Sequence, residues 1–64
     1  MIKLVRIEPF TTKRPVRVIT LAEAIDEFGR SELLEYLQGH CHFSAFFLEI
    51  DGEPVYPVTR ESLE

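Results

Sequence analysis

Apolar and charged residues alternate through the first twenty positions of the chain. Residues 2–10 interleave β-branched and other apolar side chains with charged ones, and residues 14–19 repeat the pattern after a short loop. A period of two is typical of a half-buried strand. Pro15 has no N–H group and therefore belongs at the start or the edge of a strand. These segments together predict a β-hairpin.

A helical period replaces the alternation at Leu21. Apolar residues recur at positions 21, 24, 25 and 28, which is the spacing of one helix face. Thr20 and Glu23 have the spacing of a capping box, in which each side chain accepts a hydrogen bond from the backbone of the other residue. The sequence therefore predicts a helix over residues 21–28.

The following segment, residues 32–38, carries its apolar side chains about 150° around the helix axis from the first stripe. One straight helix would then have to bury two opposite faces. Gly29 can end the first helix, and Ser31 can cap a second. We expect two short helices, 21–28 and 32–38, or one strongly kinked helix.

The second half of the chain contains another predicted hairpin. Residues 42–50 are rich in aromatic side chains, and Asp51-Gly52 after them favours a type I′ turn, which needs positive φ at both central residues. Residues 53–58 return as a strand whose two prolines require an edge position. Residues 59–64 are expected to form a frayed tail.

The predicted fold is a single small α+β domain over residues 1–64 with the order ββ(αα)ββ. It has a four-stranded, mainly antiparallel sheet with the helical segment packed on one face. The expected core side chains are Leu4, Val16, Val18, Ile25, Phe28, Leu34, Leu37, Phe47 and Val55.

Composition places the chain among globular intracellular proteins. Hydrophobic residues make up 45% and charged residues 28% of the 64 positions, a balance typical of a folded domain. Cys41 is the one cysteine, so no internal disulfide forms and a reducing, cytoplasmic setting is expected. The N-terminus has no continuous apolar segment of the kind found in signal peptides.

Charge is divided unevenly along the chain. Residues 1–20 carry five basic side chains and one acidic side chain, a net charge of +4, whereas residues 21–64 carry two basic and ten acidic side chains, a net charge of −8. Two interpretations follow: the halves pack together and partly neutralise each other, or one of them offers its charge to a partner.

His40-Cys41-His42 is the only cluster of metal-ligand residue types. In an extended strand the two imidazoles share one side and the thiol lies on the other, so the three side chains do not converge on one ion. No positioned base accompanies the thiol, and the carboxylates around the second turn are expected to be solvated. We therefore predict no catalytic residues, no metal site, no cofactor and no enzymatic activity.

The acidic residues are the main functional signal. They line the helical segment and crowd the second hairpin, and spaced carboxylates complement the field of a basic groove. The sequence predicts a protein-binding domain whose partner has a basic surface. The predicted partner-binding residues are Glu23, Asp26, Glu27, Glu32, Glu35, Glu49, Asp51 and Glu53.

An alternative is a nucleic-acid-binding module that uses the first hairpin as a basic ribbon along phosphates. A helix-turn-helix is excluded, because a recognition helix with Glu32 and Glu35 would repel phosphate. A further alternative is a subunit of a larger assembly. The nucleic-acid hypothesis names Lys3, Arg6, Lys13, Arg14 and Arg17.

In size, acidic balance and economy of elements, the chain resembles the small phage-encoded inhibitors of host machinery, among them anti-CRISPR proteins and polymerase inhibitors. The resemblance rests on size and charge and carries over no functional residues. It implies a compact α+β domain that blocks a nucleic-acid-binding groove, in some members by mimicking phosphate charge.

The predicted sheet also leaves one edge strand open to pairing with another strand. Two prolines block the fourth strand, whereas Lys3 and Arg6 are the only charges along residues 2–7 of the first. The sequence therefore predicts a homodimer or partner contact through residues 2–7.

Overall fold

The computed structural model describes all 64 residues and has one sheet with helices on one side of it. The strands and helices are β1 (Lys3–Pro9), β2 (Arg17–Thr20), α1 (Leu21–Phe28), α2 (Arg30–Leu37), β3 (Ser44–Ile50), β4 (Glu53–Pro54) and a final 3₁₀ helix (Arg60–Leu63). The sheet is antiparallel with strand order β2-β1-β3-β4. The predicted α+β class, the two hairpins and the four-stranded sheet are confirmed.

The centre of the sheet is the pairing of β1 with β3 over seven residue pairs. Val5 lies opposite Leu48, and Ile7 lies opposite Phe46. All four are buried together on the side that the helices cover. This register places the apolar side chains at the centre of both strands on the same face of the sheet. The helices can then cover them together, which removes a large apolar surface from water.

The central position of β1 overturns the predicted edge contact. Residues 2–7 have β2 on one side and β3 on the other, so their backbone is not available to a further strand. The two edges of the sheet are β2 and β4. The prediction was wrong because it assumed that the hairpins pair through β2 rather than through β1.

The predicted core was also partly wrong, because four of its members lie on the uncovered face of the sheet or at the edge beside it. Val16, Val18 and Phe47 are 54%, 53% and 47% exposed. Leu4 is only half-buried on the same face. Both faces of β1 and β3 carry apolar residues, but the face with Arg6 retains charge in its centre, and the uncharged face became the core.

The predicted core residues on the helices agree better with the structure than those on the strands. Leu37 is buried, and the half-buried side chains that pack against the core are Ile19, Ile25, Phe28, Leu34, Tyr36 and Val55. Ten of the buried core residues were not predicted: Val5, Ile7, Leu21, Ala24, Leu33, Cys41, Phe46, Leu48, Val58 and Leu63.

The capping box predicted for α1 is present. Glu23 N–H donates to Thr20 Oγ1 at 3.1 Å, and Thr20 N–H donates to Glu23 Oε1 at 3.4 Å. The chain forms two helices rather than one kinked helix, separated by Gly29 at φ 88° and ψ 147°. That conformation is accessible to glycine and strained for other residues.

Ser31 is not the N-cap of the second helix. α2 begins at Arg30, with Gly29 as its N-cap and no side-chain cap. The first helical hydrogen bond runs from Leu33 N–H to Gly29 O at 2.9 Å, so the helix starts before the predicted position. Leu33 and Leu37, one helical turn apart, lie on the buried side of α2.

The Asp51-Gly52 turn is confirmed, since both residues have positive φ, 52° and 83°. β4 is shorter than predicted and ends at Pro54, although Val55 N–H still donates to Leu48 O at 3.0 Å. Prolines 54 and 57 provide no N–H donors, so the ladder cannot continue and the chain leaves the edge.

The last six residues are ordered against the core and are not a frayed tail. Leu63 is 2% exposed and Val58 is 6% exposed. The 3₁₀ helix starts with a local hydrogen bond from Thr59 N–H to Ser62 Oγ at 3.2 Å, and Gln38 Nε2 donates to Val58 O at 3.1 Å. The chain end thus completes the core.

We expect Leu63→Ala to destabilise the domain by about 2–4 kcal/mol, because it removes a buried side chain and leaves a cavity. Glu61→Ala, in the same 3₁₀ helix but exposed, should change the free energy of unfolding by less than about 0.5 kcal/mol. Urea unfolding followed by circular dichroism measures both. Equal midpoints for the two variants would contradict the docked position of the chain end.

Candidate binding surfaces

Two ion pairs join the basic first part of the chain to its acidic remainder. Arg17 donates to both carboxylate oxygens of Glu27, at 3.0 Å each. Arg6 Nη2 lies 3.7 Å from Glu49 Oε2. The interpretation that the halves partly neutralise each other is thereby confirmed for these four residues.

The Arg17–Glu27 pair follows from the register. Arg17 lies opposite Ile7, whose side chain is on the helical side of the sheet, so Arg17 points toward α1. Its hydrogen bonds to Glu27, with the attraction between the charges, raise the pKa of Arg17. The same hydrogen bonds lower the pKa of the Glu27 carboxyl from its usual 4.5.

The five acidic residues predicted on the helices are all exposed on α1 and α2. Three of them already have partners within the chain: Glu23 caps α1, Glu27 binds Arg17, and Glu32 accepts a hydrogen bond from the Tyr36 hydroxyl. This last bond is the main cause that raises the pKa of Tyr36 to about 12. Asp26 and Glu35 make no side-chain hydrogen bond or ion pair.

Two arginines interrupt the acidic surface of the helical layer. Arg30 and Arg60 line a shallow groove of about 340 Å³ together with Ser31, Leu34 and Glu35. Sequence reasoning could not place Arg60 there, because it assigned the residue to a frayed tail. The surface is therefore acidic around Asp26 and mixed in charge around Glu35.

The acidic residues of the second hairpin lie elsewhere. Glu49 shares a face of the sheet with Arg6, opposite to the face that the helices cover. Asp51 occupies the turn, where its carboxylate accepts the Ile2 N–H at 2.7 Å. Glu53 is exposed on the edge strand β4. The structure therefore does not unite the hairpin carboxylates with those of α1 and α2 into one continuous face.

The five basic residues of the alternative hypothesis do not form one ribbon. Arg6 and Arg17 project from opposite faces of the sheet. Lys3 Nζ donates to the backbone carbonyl of Glu64 at the chain end. Only Lys13 and Arg14, in the exposed loop between β1 and β2, have charged groups without a partner in the chain.

His40 and His42 are exposed, whereas the Cys41 thiol between them is buried. No group of three or more metal-ligand side chains in the structure could hold an ion. Cys41 instead borders a mainly apolar cavity of about 410 Å³ beside β3. The ionisable residues of its wall are Cys41, Tyr36 and Tyr56.

Aromatic packing beside this cavity was not predicted. The Tyr36 ring contacts Phe46 at 5.0 Å and Phe28 at 5.8 Å between centroids, and Phe28 meets Phe46 edge-on at 5.4 Å. The concentration of phenylalanines in residues 42–50 is the sequence signal that could have indicated such a cluster.

The uncovered face of the sheet is a second surface that sequence reasoning missed. Val18 and Phe47 flank Arg6 in the pairing register, and both are about half exposed. This face is mainly apolar, and the charges of Arg6 and Glu49 at its centre offset each other. It differs in chemistry from the acidic helical layer on the other side of the molecule.

No protein-family model matches the chain, and searches of curated proteins and of solved structures find no similar protein. None of the helices has the length and apolar character needed to cross a membrane.

Glu27→Gln should lower the urea midpoint at pH 7 and have progressively less effect in acid. Because folding lowers the pKa of Glu27, its carboxylate stabilises the fold fully above pH 4.5, and this contribution is lost as the pH falls through the folded-state value. Urea unfolding at pH 7 and at about pH 2.5 measures the difference between wild type and variant.

Asp26→Asn is the matched control, since Asp26 is an exposed carboxylate of the same helix without an ion pair. It should unfold close to the wild-type midpoint at pH 7. A Glu27→Gln midpoint equal to that of wild type at pH 7, or a difference that persists at pH 2.5, would show that the pair does not stabilise the fold.

Proposed function

We propose that the chain is a non-enzymatic protein-binding domain, an inhibitor that presents its acidic helical layer to a basic, nucleic-acid-binding groove of a partner complex. The observation that carries the proposal is the exposure of all five carboxylates of α1 and α2 on the outside of the layer. Their apolar neighbours Leu21, Ala24, Leu33 and Leu37 face inward. A rigid layer can thus hold several negative charges at fixed spacing.

The surface of the chain is better suited to electrostatic mimicry of phosphate than to catalysis of a reaction. The cavity beside β3 is mainly apolar, and the ionisable groups of its wall are two phenols and a buried thiol. Carboxylates on a folded scaffold increase the rate of encounter with a cationic groove and compete with nucleic acid for it. Such an inhibitor, similar in kind to anti-CRISPR proteins, acts in the cytoplasm, a setting that the free thiol favours.

The residues best suited to carry this function are those whose charge is not used inside the chain. Asp26 and Glu35 can be reversed without breaking a cap or an ion pair, whereas Glu23 and Glu27 cannot. Glu32 is intermediate, because its carboxylate also binds the Tyr36 hydroxyl. Mutations at Asp26 and Glu35 therefore separate binding from folding.

The test begins with capture of the partner from the native host, followed by purification of that partner. Asp26→Lys/Glu35→Lys should weaken its affinity by on the order of tenfold or more, and wild-type affinity should fall with added salt. The chain should also displace nucleic acid from the purified partner.

The matched control is Glu8→Lys/Glu64→Lys, which changes the net charge equally but lies outside the helical layer. This variant should retain most of the affinity. If both double variants bind like wild type, or if the partner binds the chain and nucleic acid at once, the inhibitor proposal is wrong.

One observation favours a second candidate, the binding of single-stranded nucleic acid. Phe47 is exposed beside Arg6 on the uncovered face, and Phe10 is 64% exposed at the end of β1. Exposed aromatic rings next to a guanidinium can stack on bases.

Fluorescence anisotropy with a labelled single-stranded oligonucleotide at low salt tests this candidate. Binding should weaken steeply with salt, and Phe47→Ser should weaken it on the order of tenfold. Absence of binding at low salt excludes the candidate and leaves the acidic-face proposal unaffected.

A further inference from the structure

The backbone of the edge strand β2 has N–H and C=O groups that point away from the sheet. Their positions follow from the hydrogen bonds between β1 and β3. Phe10 N–H donates to Phe43 O at 3.2 Å, and Asp51 N–H donates to Ile2 O at 2.7 Å. These bonds continue the ladder beyond both ends of the β1–β3 pairing. The residues that flank β1 in them, Ile2 and Phe10, both have even numbers. The even-numbered residues of β1 therefore bond toward β3.

Because successive residues of an antiparallel strand bond to opposite sides, the odd-numbered residues of β1 bond toward β2. Val5 is opposite Ile19, and Ile7 is opposite Arg17. Val18 lies between these two bonded residues of β2, so its N–H and C=O point away from the sheet. Val16 immediately precedes β2, and extension of the strand by one residue on pairing places its backbone groups on the outer side as well.

This edge lacks the devices that usually prevent strand pairing. Pro15 lies before β2, and in a strand extended to it the alternation places its nitrogen on the inner side, which leaves the outer side unblocked. The Arg17 side chain is held by Glu27 over the helical face. Val16 and Val18 are more than half exposed along the edge. The opposite edge is protected by the prolines of residues 53–58.

We propose that β2 pairs with β2 of a second copy of the chain, antiparallel across a two-fold axis, with Val16 of each copy opposite Val18 of the other. The two sheets then form one continuous eight-stranded sheet. The pairing uses four outward backbone hydrogen bonds and covers the exposed valines at the edge. The proposal is independent of the function proposed above.

Charge complementarity points to a second copy as the occupant. In this register Arg14 of one copy lies opposite Thr20 of the other. Thr20 N–H points outward and donates to Glu23 Oε1, so the Glu23 carboxylate lies at that position on the edge. Arg14 has no partner in its own chain. The two-fold axis produces this Arg14–Glu23 contact twice, although the chain as a whole carries a net charge of −4.

Analytical ultracentrifugation of the wild type over a range of concentrations tests the proposal. A short edge contact lies at the small end of specific interfaces, so we expect a dimer that dissociates with a constant below about 1 mM. Amide hydrogen exchange of Val16 and Val18 should slow as concentration rises. A wild type that remains monomeric at 1 mM overturns the proposal.

Val18→Pro is the decisive variant, because it removes an outward N–H donor and no hydrogen bond within the sheet. It should weaken dimerisation at least tenfold. Val18→Thr keeps the N–H and the β-branched shape and should stay within about threefold of wild type. Arg14→Glu should weaken the dimer and reduce its sensitivity to salt.

Circular dichroism must show that Val18→Pro is folded, and if it is not, Val18→Lys replaces it, since a charge at the edge also opposes pairing. Phe47→Ser distinguishes edge pairing from packing of the uncovered faces and should leave the dimer intact. A dimer that survives folded Val18→Pro or Val18→Lys, or is lost in Phe47→Ser alone, overturns edge pairing.

Discussion

The fold depends on the antiparallel pairing of β1 with β3. These two strands lie far apart in the sequence, yet they make the longest ladder in the structure, seven residue pairs. Their register places Val5 and Ile7 beside Leu48 and Phe46, and this apolar strip is the surface that α1 and α2 cover. β2 and β4 then occupy the two edges, and the uncovered face follows as the other side of the same strands.

The same pairing separates the molecule into two chemically different surfaces. On one side, the helical layer exposes carboxylates, and the Arg17–Glu27 pair ties its first helix to the sheet. On the other side, the sheet exposes valines and Phe47 around a neutralised Arg6–Glu49 pair. The 64-residue chain thus has one face suited to long-range attraction and one suited to short-range contact. The two can act without competing, since they lie on opposite sides of the sheet.

The small size of the chain explains why its last residues matter. A domain of this length has a limited core and no disulfide to support it. Leu63 contributes a buried side chain from residues 59–64, which the sequence predicts as a frayed tail, and Val58 just before them is buried as well. Gln38 binds the Val58 carbonyl, so the end of α2 and the end of the chain stabilise each other. Burial of two apolar residues decided the structure of a segment whose local propensities are weak.

The sequence by itself determined the features that depend on neighbouring residues. The Thr20–Glu23 capping box, the break at Gly29 and the Asp51-Gly52 turn all follow from torsional preference and from hydrogen bonds over three residues or fewer. Only the tertiary structure decided the strand order, the buried face of β1 and β3, the start of α2 at Arg30 and the docking of Leu63. It also decided which carboxylates of the candidate surface are engaged inside the chain and which, like Asp26, are free. These outcomes depend on contacts between distant segments, and in strands that are apolar on both faces a shift of one residue exchanges the buried side for the exposed one, so no local pattern distinguishes them.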